Sequence, residues 1–327
     1  MNKRRDLNAP SKFENPQAVY IHGLPNGAGG TPISTEEPFV SRDGRFLFFN
    51  TGEHENNKDL HYAEWIRTRW VYRGQVGPYV NNAKDVQANP TMDGSYNFFY
   101  IDSGTETMVR MARFSPDKGE LTSIRGFKGV PNREVKLIAQ KVSGNMGVEV
   151  SADGKRMYFS RATWDLNGLT LGRLMGSDIF FATERDGKYV YDDLETQRIM
   201  RHINTSDLEY AASISSDGLE LFFTRLSLAD LTSGEIRSKM MRSTRVSLSE
   251  AFSKPMQIEA IGSSDFVEGP AISDDAQELY YHKREGDKFR LYKVIRDVDR
   301  QLPRKPRPVV GELHKPNKNG KWDLPFQ

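Results

Sequence analysis

The fold of this chain is decided by the stretch Val148-Glu149-Val150-Ser151-Ala152-Asp153-Gly154, which leads into the apolar run Met157-Tyr158-Phe159. An Asp-Gly pair between two apolar runs is a strong hairpin signal. Glycine readily adopts the positive φ that tight turns require, and aspartate tolerates it or hydrogen-bonds the local backbone. The stretch therefore predicts two antiparallel strands joined by a short turn.

The same pattern recurs at four other places in the chain. These are Pro38–Gly44 before Phe46–Phe49, Pro90–Gly94 before Phe98–Tyr100, Ala212–Gly218 before Leu221–Phe223, and Pro270–Ala276 before Leu279–Tyr281. The second copy is shortened before its turn. The fifth has Ala276 in place of the turn glycine, so that turn should be strained or of another type.

The spacing of the five copies defines the architecture. The turn aspartates stand at positions 43, 93, 153, 217 and 275, so the intervals are 50, 60, 64 and 58 residues. A propeller blade of four short strands needs roughly 40–50 residues plus its loops. The sequence thus predicts an all-β, five-bladed β-propeller of four-stranded blades, with six blades as the alternative count.

We expect one domain over residues 1–327, with blades near 36–78, 86–128, 146–198, 208–261 and 267–311. Pro306 and Pro308 make the end of the fifth blade a poor ladder partner. We therefore expect residues 17–23 to close the ring; an irregular lead-in is the alternative. Helix content should be low, and residues 313–327 should form a surface strap or loose tail.

Composition excludes several classes of function. Lys and Arg number 46 against 44 Asp and Glu, and there is no cysteine. The balanced charge argues against nucleic-acid binding, and thiolate or Cys-zinc chemistry is excluded. No apolar run approaches the roughly 18–20 residues of a membrane span, and no signal peptide is visible at the N-terminus. We expect a monomer.

The repeats resemble the TolB-type, WD40-like β-propeller repeat family over roughly residues 36–296. The resemblance rests on the Pro-x-x-Ser-x-Asp-Gly cores, on Gly176–Thr183 as a third-strand phrase, and on Ile203-Asn204-Thr205 before a repeat. It implies a binding scaffold of bacterial envelopes that also occurs within enzymes. It implies a periplasmic or secreted protein, and a cytoplasmic one stays the alternative.

Blade geometry places two sets of polar residues together. The start of the innermost strand and the loop between strands two and three share one face, here the upper face; the Asp-Gly turns lie on the lower face. The first set should enter the innermost strands near the axis: Glu36, Glu37, Asn89, Glu149, Glu209, Asp265 and Glu268. The second should lie in the loops around it: Glu53, His54, Asn56, Arg161, Trp164, Asp165, Arg225, Asp230, His282 and Arg284.

Long loops on one face of a rigid scaffold commonly carry binding, and we predict long loops at residues 161–176 and 225–236. Our leading hypothesis is a non-catalytic propeller that binds a carbohydrate or a protein partner on this acidic face. The predicted ligand-binding residues are Glu36, His54, Asn89, Glu149, Arg161, Trp164, Glu209, Arg225, Asp265 and His282. Trp164 would either stack on a sugar or anchor its loop.

The alternative is a glycoside hydrolase on the same scaffold, with Glu37 and Glu268 as the catalytic carboxylates. Glu268 in Val267-Glu268-Gly269-Pro270 is similar to the acid-bearing strand start of arabinanase-like propellers. The sequence departs from that family at Asn89, since no aspartate begins the early blades. A third hypothesis is a protein-assembly module. We predict no metal site and no cofactor; a calcium or similar hard cation in the axial channel is the alternative.

Overall fold

The computed structural model describes residues 12–27, 30–51, 57–167, 170–234, 236–263 and 265–297. The all-β prediction is confirmed, because the chain is 55% strand and 5% helix. Two strands precede the first blade, β1 (Phe13–Ala18) and β2 (Ile21–His22). Blade one holds β3 (Glu36–Val40), β4 (Phe46–Asn50), β5 (Leu60–Ile66) and β6 (Arg69–Gln75).

The remaining elements follow in chain order. Blade two holds β7 (Gln87–Met92), β8 (Asn97–Asp102), β9 (Val109–Ser115) and β10 (Glu120–Gly126). Blade three has β11 (Glu134–Lys136), β12 (Lys141–Val150), β13 (Arg156–Asn167), β14 (Thr170–Arg185) and β15 (Lys188–Tyr191), followed by α1 (Asp193–Met200). Blade four has β16 (Leu208–Ile214), β17 (Glu220–Leu226), α2 (Leu228–Ser233), β18 (Ser238–Thr244) and β19 (Met256–Gln257). Blade five has β20 (Val267–Ile272), β21 (Glu278–Glu285) and β22 (Lys288–Arg296).

The blades form a ring around the innermost strands. Strand β3 contacts β7, β7 contacts β12, β12 contacts β16, β16 contacts β20, and β20 returns to β3. Neighbouring blades pack through aromatic strands: Phe48 meets Phe98 with ring centroids 5.0 Å apart, and Phe46 meets Phe114 at 5.0 Å. Each sheet thus buries its apolar faces against its neighbours, as propeller blades do.

The closing strand of blade five comes from the N-terminal part of the chain, as predicted, but it begins at Phe13, four residues before the predicted segment 17–23. Strand β1 pairs antiparallel with β22 through Gln17 and Ala18, and the Val19 N–H donates to the Leu291 carbonyl. The second half of the predicted segment differs, because Ile21 and His22 pair in parallel with β6 of blade one. Phe13 explains the shift, because it is buried edge-on against Phe222, with ring centroids 5.8 Å apart, and lies under the guanidinium of Arg296.

The lower-face turns are held by a repeated side-chain motif. In blade three, the Ser151 hydroxyl donates to Asp153 Oδ1 at 2.6 Å and accepts the Arg156 N–H at 2.9 Å, and Asp153 Oδ1 accepts the Lys155 N–H at 3.0 Å. Three other blades repeat it from Ser41, Ser215 and Ser273. Ala276 keeps φ at +55°, so the fifth turn retains a left-handed residue and its strain.

Blade three rises above the others on the upper face. Residues 161–176, predicted as a loop, are mostly paired strand, since β13 and β14 form a hairpin that continues to Asn167↔Thr170. Strand β12 extends with them from Lys141, so blade three begins before the predicted residue 146. The predicted connection 225–236 of blade four instead carries the short helix α2, whose N-cap Ser227 accepts the Asp230 N–H at 3.3 Å.

Candidate functional site

Five polar side chains meet where the axis opens on the upper face; we call them the mouth cluster: Glu36, Glu37, Lys58, Glu268 and His282. The first two begin β3, and Lys58 precedes β5 by two residues. Glu268 in β20 stands directly opposite His282 in β21. The cluster therefore joins the first and last blades across the closure of the ring.

Each innermost strand contains a bulge, and one of these bulges places a backbone N–H against Glu37. The ladder shifts register between residues 36 and 39 in β3, and at the matching place in the other four innermost strands. Residues at these bulges adopt positive φ, namely +48° at Glu37, +51° at Asn89 and +64° at Gly269. Because of this turn, the Asn89 N–H donates to Glu37 Oε2 at 2.8 Å, which fixes the carboxyl of Glu37.

His282 links the two glutamates that the sequence predicted as catalytic. The Glu37 N–H donates to His282 Nδ1 at 3.0 Å, so Nδ1 is the unprotonated nitrogen. The hydrogen then sits on Nε2, which lies 3.3 Å from Glu268 Oε2. The Tyr210 hydroxyl donates to the other oxygen of Glu268. Both oxygens of Glu268 are therefore held by neighbouring side chains.

Lys58 supplies the positive charge of the cluster. Its Nζ lies 2.5 Å from Glu36 Oε2. Burial alone would lower the pKa of Lys58, but the charges of Glu37, Glu36 and Glu268 outweigh burial and raise it to about 12. Burial raises the pKa of the Glu37 carboxyl, and the neighbouring Glu36 adds to this against the opposing charge of Lys58. The raised pKa thus favours the protonated form of the Glu37 carboxyl.

Three other predicted acids have structural partners instead. Glu149 lies near the end of β12 and bonds Arg42, from the lower-face turn of blade one, at 3.1 Å, so its predicted place at a strand start is wrong. The Glu149 side chain is buried. Glu209 is also buried, and it accepts hydrogen bonds from Arg225 Nε at 2.7 Å and from the Thr205 N–H at 2.8 Å. Asp265 pairs with Lys283 at 2.8 Å. Of these three acids, Glu149 still lines the axial channel together with Glu37.

Arg161 is also turned away from the axis. Its guanidinium donates to the Asn132 carbonyl at 3.1 Å and lies 3.9 Å from Glu134, which ties the segment before β12 to the blade-three hairpin. His54, with Glu53 and Asn56, lies outside the described residues. Among the described residues, no group of three or more His, Asp or Glu side chains is arranged to hold a metal ion.

The axial channel itself is nearly filled. Its lining includes Glu37, Asn89, Glu149 and Gly269, and its cavity is about 10 Å³, which is room for about one water molecule. The axial channel, as the described residues form it, is therefore too small to hold a sugar. A ligand of the size of a sugar would have to bind above the channel.

A larger pocket of about 450 Å³ opens beside the mouth, between blades two and three. Glu37 and Lys58 line its axial end, and most of its wall is apolar, with Val86, Ile101, Met108, Val142, Met146 and Trp164 among the lining residues. Trp164 therefore shares a cavity with Glu37. Neither this pocket nor Lys58 was predicted from the sequence. The alternation Val142-x-Gly144-x-Met146 was a usable signal, because alternate residues of a strand lie on the same face.

No protein-family model matches the sequence, and no curated protein sequence matches it. Among solved structures, a complex of BT0996 with RGII is 12% identical, with a TM-score of 0.52 over 91% of this chain and 95% of that one. A glycoside hydrolase is 12% identical, with a TM-score of 0.53 over 91% and 95%. TolB from Acinetobacter baumannii, 10% identical, reaches 0.41 over 82% of this chain and 56% of that one, too low to carry an argument. These similarities show the propeller fold.

Within the described residues, no helix is long and apolar enough to cross a membrane.

Proposed function

We propose that this protein is a binding propeller that recognises a carbohydrate on its upper face, at the mouth cluster. The observation that carries the proposal is the position of Glu37, whose carboxyl lies in the charged cluster and also lines the 450 Å³ pocket that contains Trp164. Ligand sites typically combine an apolar wall with a few polar groups that fix orientation. A carboxyl for hydroxyl groups and an aromatic surface for a sugar ring suit a carbohydrate.

Binding accounts for the geometry better than catalysis does. Glu268 is held by His282 and Tyr210, and Glu36 by Lys58, so these carboxylates are engaged in fixing the cluster. Such pre-organised groups suit recognition of a ligand in one orientation. The fold similarity to a glycoside hydrolase and to the BT0996 complex with RGII supports a carbohydrate as the ligand class.

The second candidate is a glycoside hydrolase, favoured by one specific observation. Burial raises the pKa of Glu37, while Glu268 lies across His282 in the same cluster. Glycosidases use a pair of carboxyl groups, of which the general acid has a raised pKa. A protein partner, a monomeric state and a periplasmic or secreted location stay predictions.

Calorimetric titration against a panel of neutral oligosaccharides tests the proposal. We expect at least one glycan to bind, and Glu37→Gln to weaken it by about tenfold through loss of a charge-assisted hydrogen bond. Glu259→Gln, at an exposed position outside the site, is the matched control and should bind as wild type does.

Two results would contradict the binding proposal. One is that no glycan of the panel binds the folded protein. The other is turnover of a glycoside from the same panel that Glu268→Gln abolishes, which would establish the hydrolase instead.

A further inference from the structure

We infer that the pocket between blades two and three is a subsite for an uncharged aromatic substituent, so that the preferred ligand is an aryl-substituted carbohydrate. This rests on the proposed function, because the sugar part would occupy the mouth cluster. The volume of about 450 Å³ is within the range of roughly 300–1,000 Å³ that is usual for small-molecule sites. The mouth cluster alone does not explain a cavity of this size and polarity.

The floor of the pocket is rigid and apolar. Ile101 and Val142 are 4% and 7% exposed, and Ile101 belongs to the core cluster between blades two and three. Strands β12 and β13 form the wall, with Val142 paired to Trp164 and Gly144 paired to Ala162. Because the ladder fixes this register, the apolar wall exists before any ligand arrives.

Gly144 keeps the pocket open. A Cβ at this position would lie 2.8 Å from Met108 Sδ and 3.7 Å from Trp164 Cζ3, so the absence of a side chain lets the thioether lie against the strand. The ligand space is thus bordered by a thioether and an indole. Sulfur–aromatic and aromatic–aromatic contacts both stabilise a bound ring beyond its burial, which favours an aromatic group over an alkyl chain.

The polarity of the lining decides what kind of ring fits. Its charged residues are one acid, Glu37, and two cations, Lys58 and Arg133, and the rest of the wall is mostly apolar. A charged substituent buried against this apolar wall would lose its hydration without gaining a partner, whereas an uncharged ring would not. At the outer rim, Val135 and Leu137 are 53% and 64% exposed, and a neutral ring with its linker would cover part of this apolar surface.

The experiment compares three series of the same sugars by calorimetry: methyl, n-hexyl and phenyl glycosides of glucose, galactose, xylose and arabinose. For whichever sugar binds, the phenyl glycoside should bind about tenfold more tightly than the methyl glycoside, and more tightly than the hexyl glycoside. Gly144→Val, which drives Met108 into the pocket, should remove the phenyl advantage. Glu37→Gln should weaken methyl and phenyl glycosides by the same factor.

The outcomes separate this inference from the proposed function. Equal affinity of methyl and phenyl glycosides overturns the aromatic subsite and leaves carbohydrate binding intact. Equal affinity of hexyl and phenyl glycosides overturns the aromatic preference. If phenol binds in a manner that Gly144→Val abolishes while no methyl glycoside binds, the subsite stands and the carbohydrate assignment falls. Thermal unfolding of Gly144→Val confirms that the variant is folded.

Discussion

Replacing Lys58 by methionine should destabilise the fold in a strongly pH-dependent way. Lys58 is the cation of a cluster with three carboxyl groups, and its side chain is only 24% exposed. The rise of its pKa from 10.5 to about 12 corresponds to about 2 kcal/mol in favour of the charged form. Breaking a buried pair also leaves unpaired carboxylates, so the total loss at pH 7 should be about 3–5 kcal/mol.

The sign of the pH dependence follows from the two kinds of group. The pKa of Lys58 is raised on folding, so its contribution is complete below pH 10.5 and is lost as the pH rises through about 12. In the variant, Glu37 keeps a raised pKa and no longer has the opposing charge of Lys58. An acid with a raised folded pKa favours folding as the pH falls, so Lys58→Met should regain stability between pH 7 and pH 5.

Urea unfolding at pH 5, 7 and 9, followed by tryptophan fluorescence, measures these differences. In a separate thermal unfolding experiment at pH 7, the melting temperature should fall by roughly 6–10 °C, at about 2 °C per kcal/mol for a chain of this size. Lys118→Met, at an exposed lysine in the turn after β9, is the matched control. The fold should survive because the backbone carbonyl of Lys58 still accepts the Gln87 N–H. A loss below about 1 kcal/mol at pH 7, or a pH slope equal to that of wild type, would refute the reasoning.

Three further predictions test the site, the ring closure and a buried ion pair. Gly269→Ala should cost at least about 1 kcal/mol more stability than Gly286→Ala, measured by urea unfolding. Both glycines have positive φ, +64° and +63°, but only at Gly269 would the new Cβ meet His282 Nδ1 at 3.0 Å; equal losses would contradict this. Phe13→Ala should cost about 3–5 kcal/mol, because Phe13 is buried in the closing strand; a loss below about 1 kcal/mol in thermal and urea unfolding would contradict the β1–β22 closure. Burial would raise the pKa of Glu220, but Arg296 and Arg242 outweigh burial and lower it. Glu220→Gln should therefore lose about 3–5 kcal/mol of stability at pH 7, and this loss should shrink as the pH falls below about 4.5. A loss of stability that does not depend on pH would contradict the pairing.

The lower face was predictable because its determinants are local. Ser151, Asp153 and Gly154 specify a turn within four residues, and the structure uses each of them. The strained Ala276 was also visible in the sequence as one of two alternatives. Such a motif needs no knowledge of the rest of the chain.

The site was only partly predictable because it depends on distant contacts. Glu37 and Glu268 could be assigned to one face because both stand at the start of innermost strands, and His282 contacts both of them. Glu149 was misplaced because β12 starts at Lys141, eight residues earlier, and the shared hydrophobic pattern hides where the paired strand begins. Lys58 lies in a connection with no pattern of its own, and its partner Glu36 is 22 residues away.

The long β13–β14 hairpin of blade three was also not predictable from local sequence. Trp164 was predicted to lie in a loop, because polar residues around it interrupt the apolar run. The structure continues the ladder through Val142↔Trp164, and this pairing creates the pocket wall. Pairing between strands, rather than the composition of either one, decided the outcome.

A crystal structure with the most tightly bound phenyl glycoside tests most directly the claim that the mouth cluster and the adjoining pocket form one site. The account predicts the sugar against the Glu37 carboxyl and the ring between blades two and three, beside Met108 and Trp164. Ligand bound on the lower face, at the outer strands, or over the Glu209–Arg225 pair with the pocket empty would contradict it.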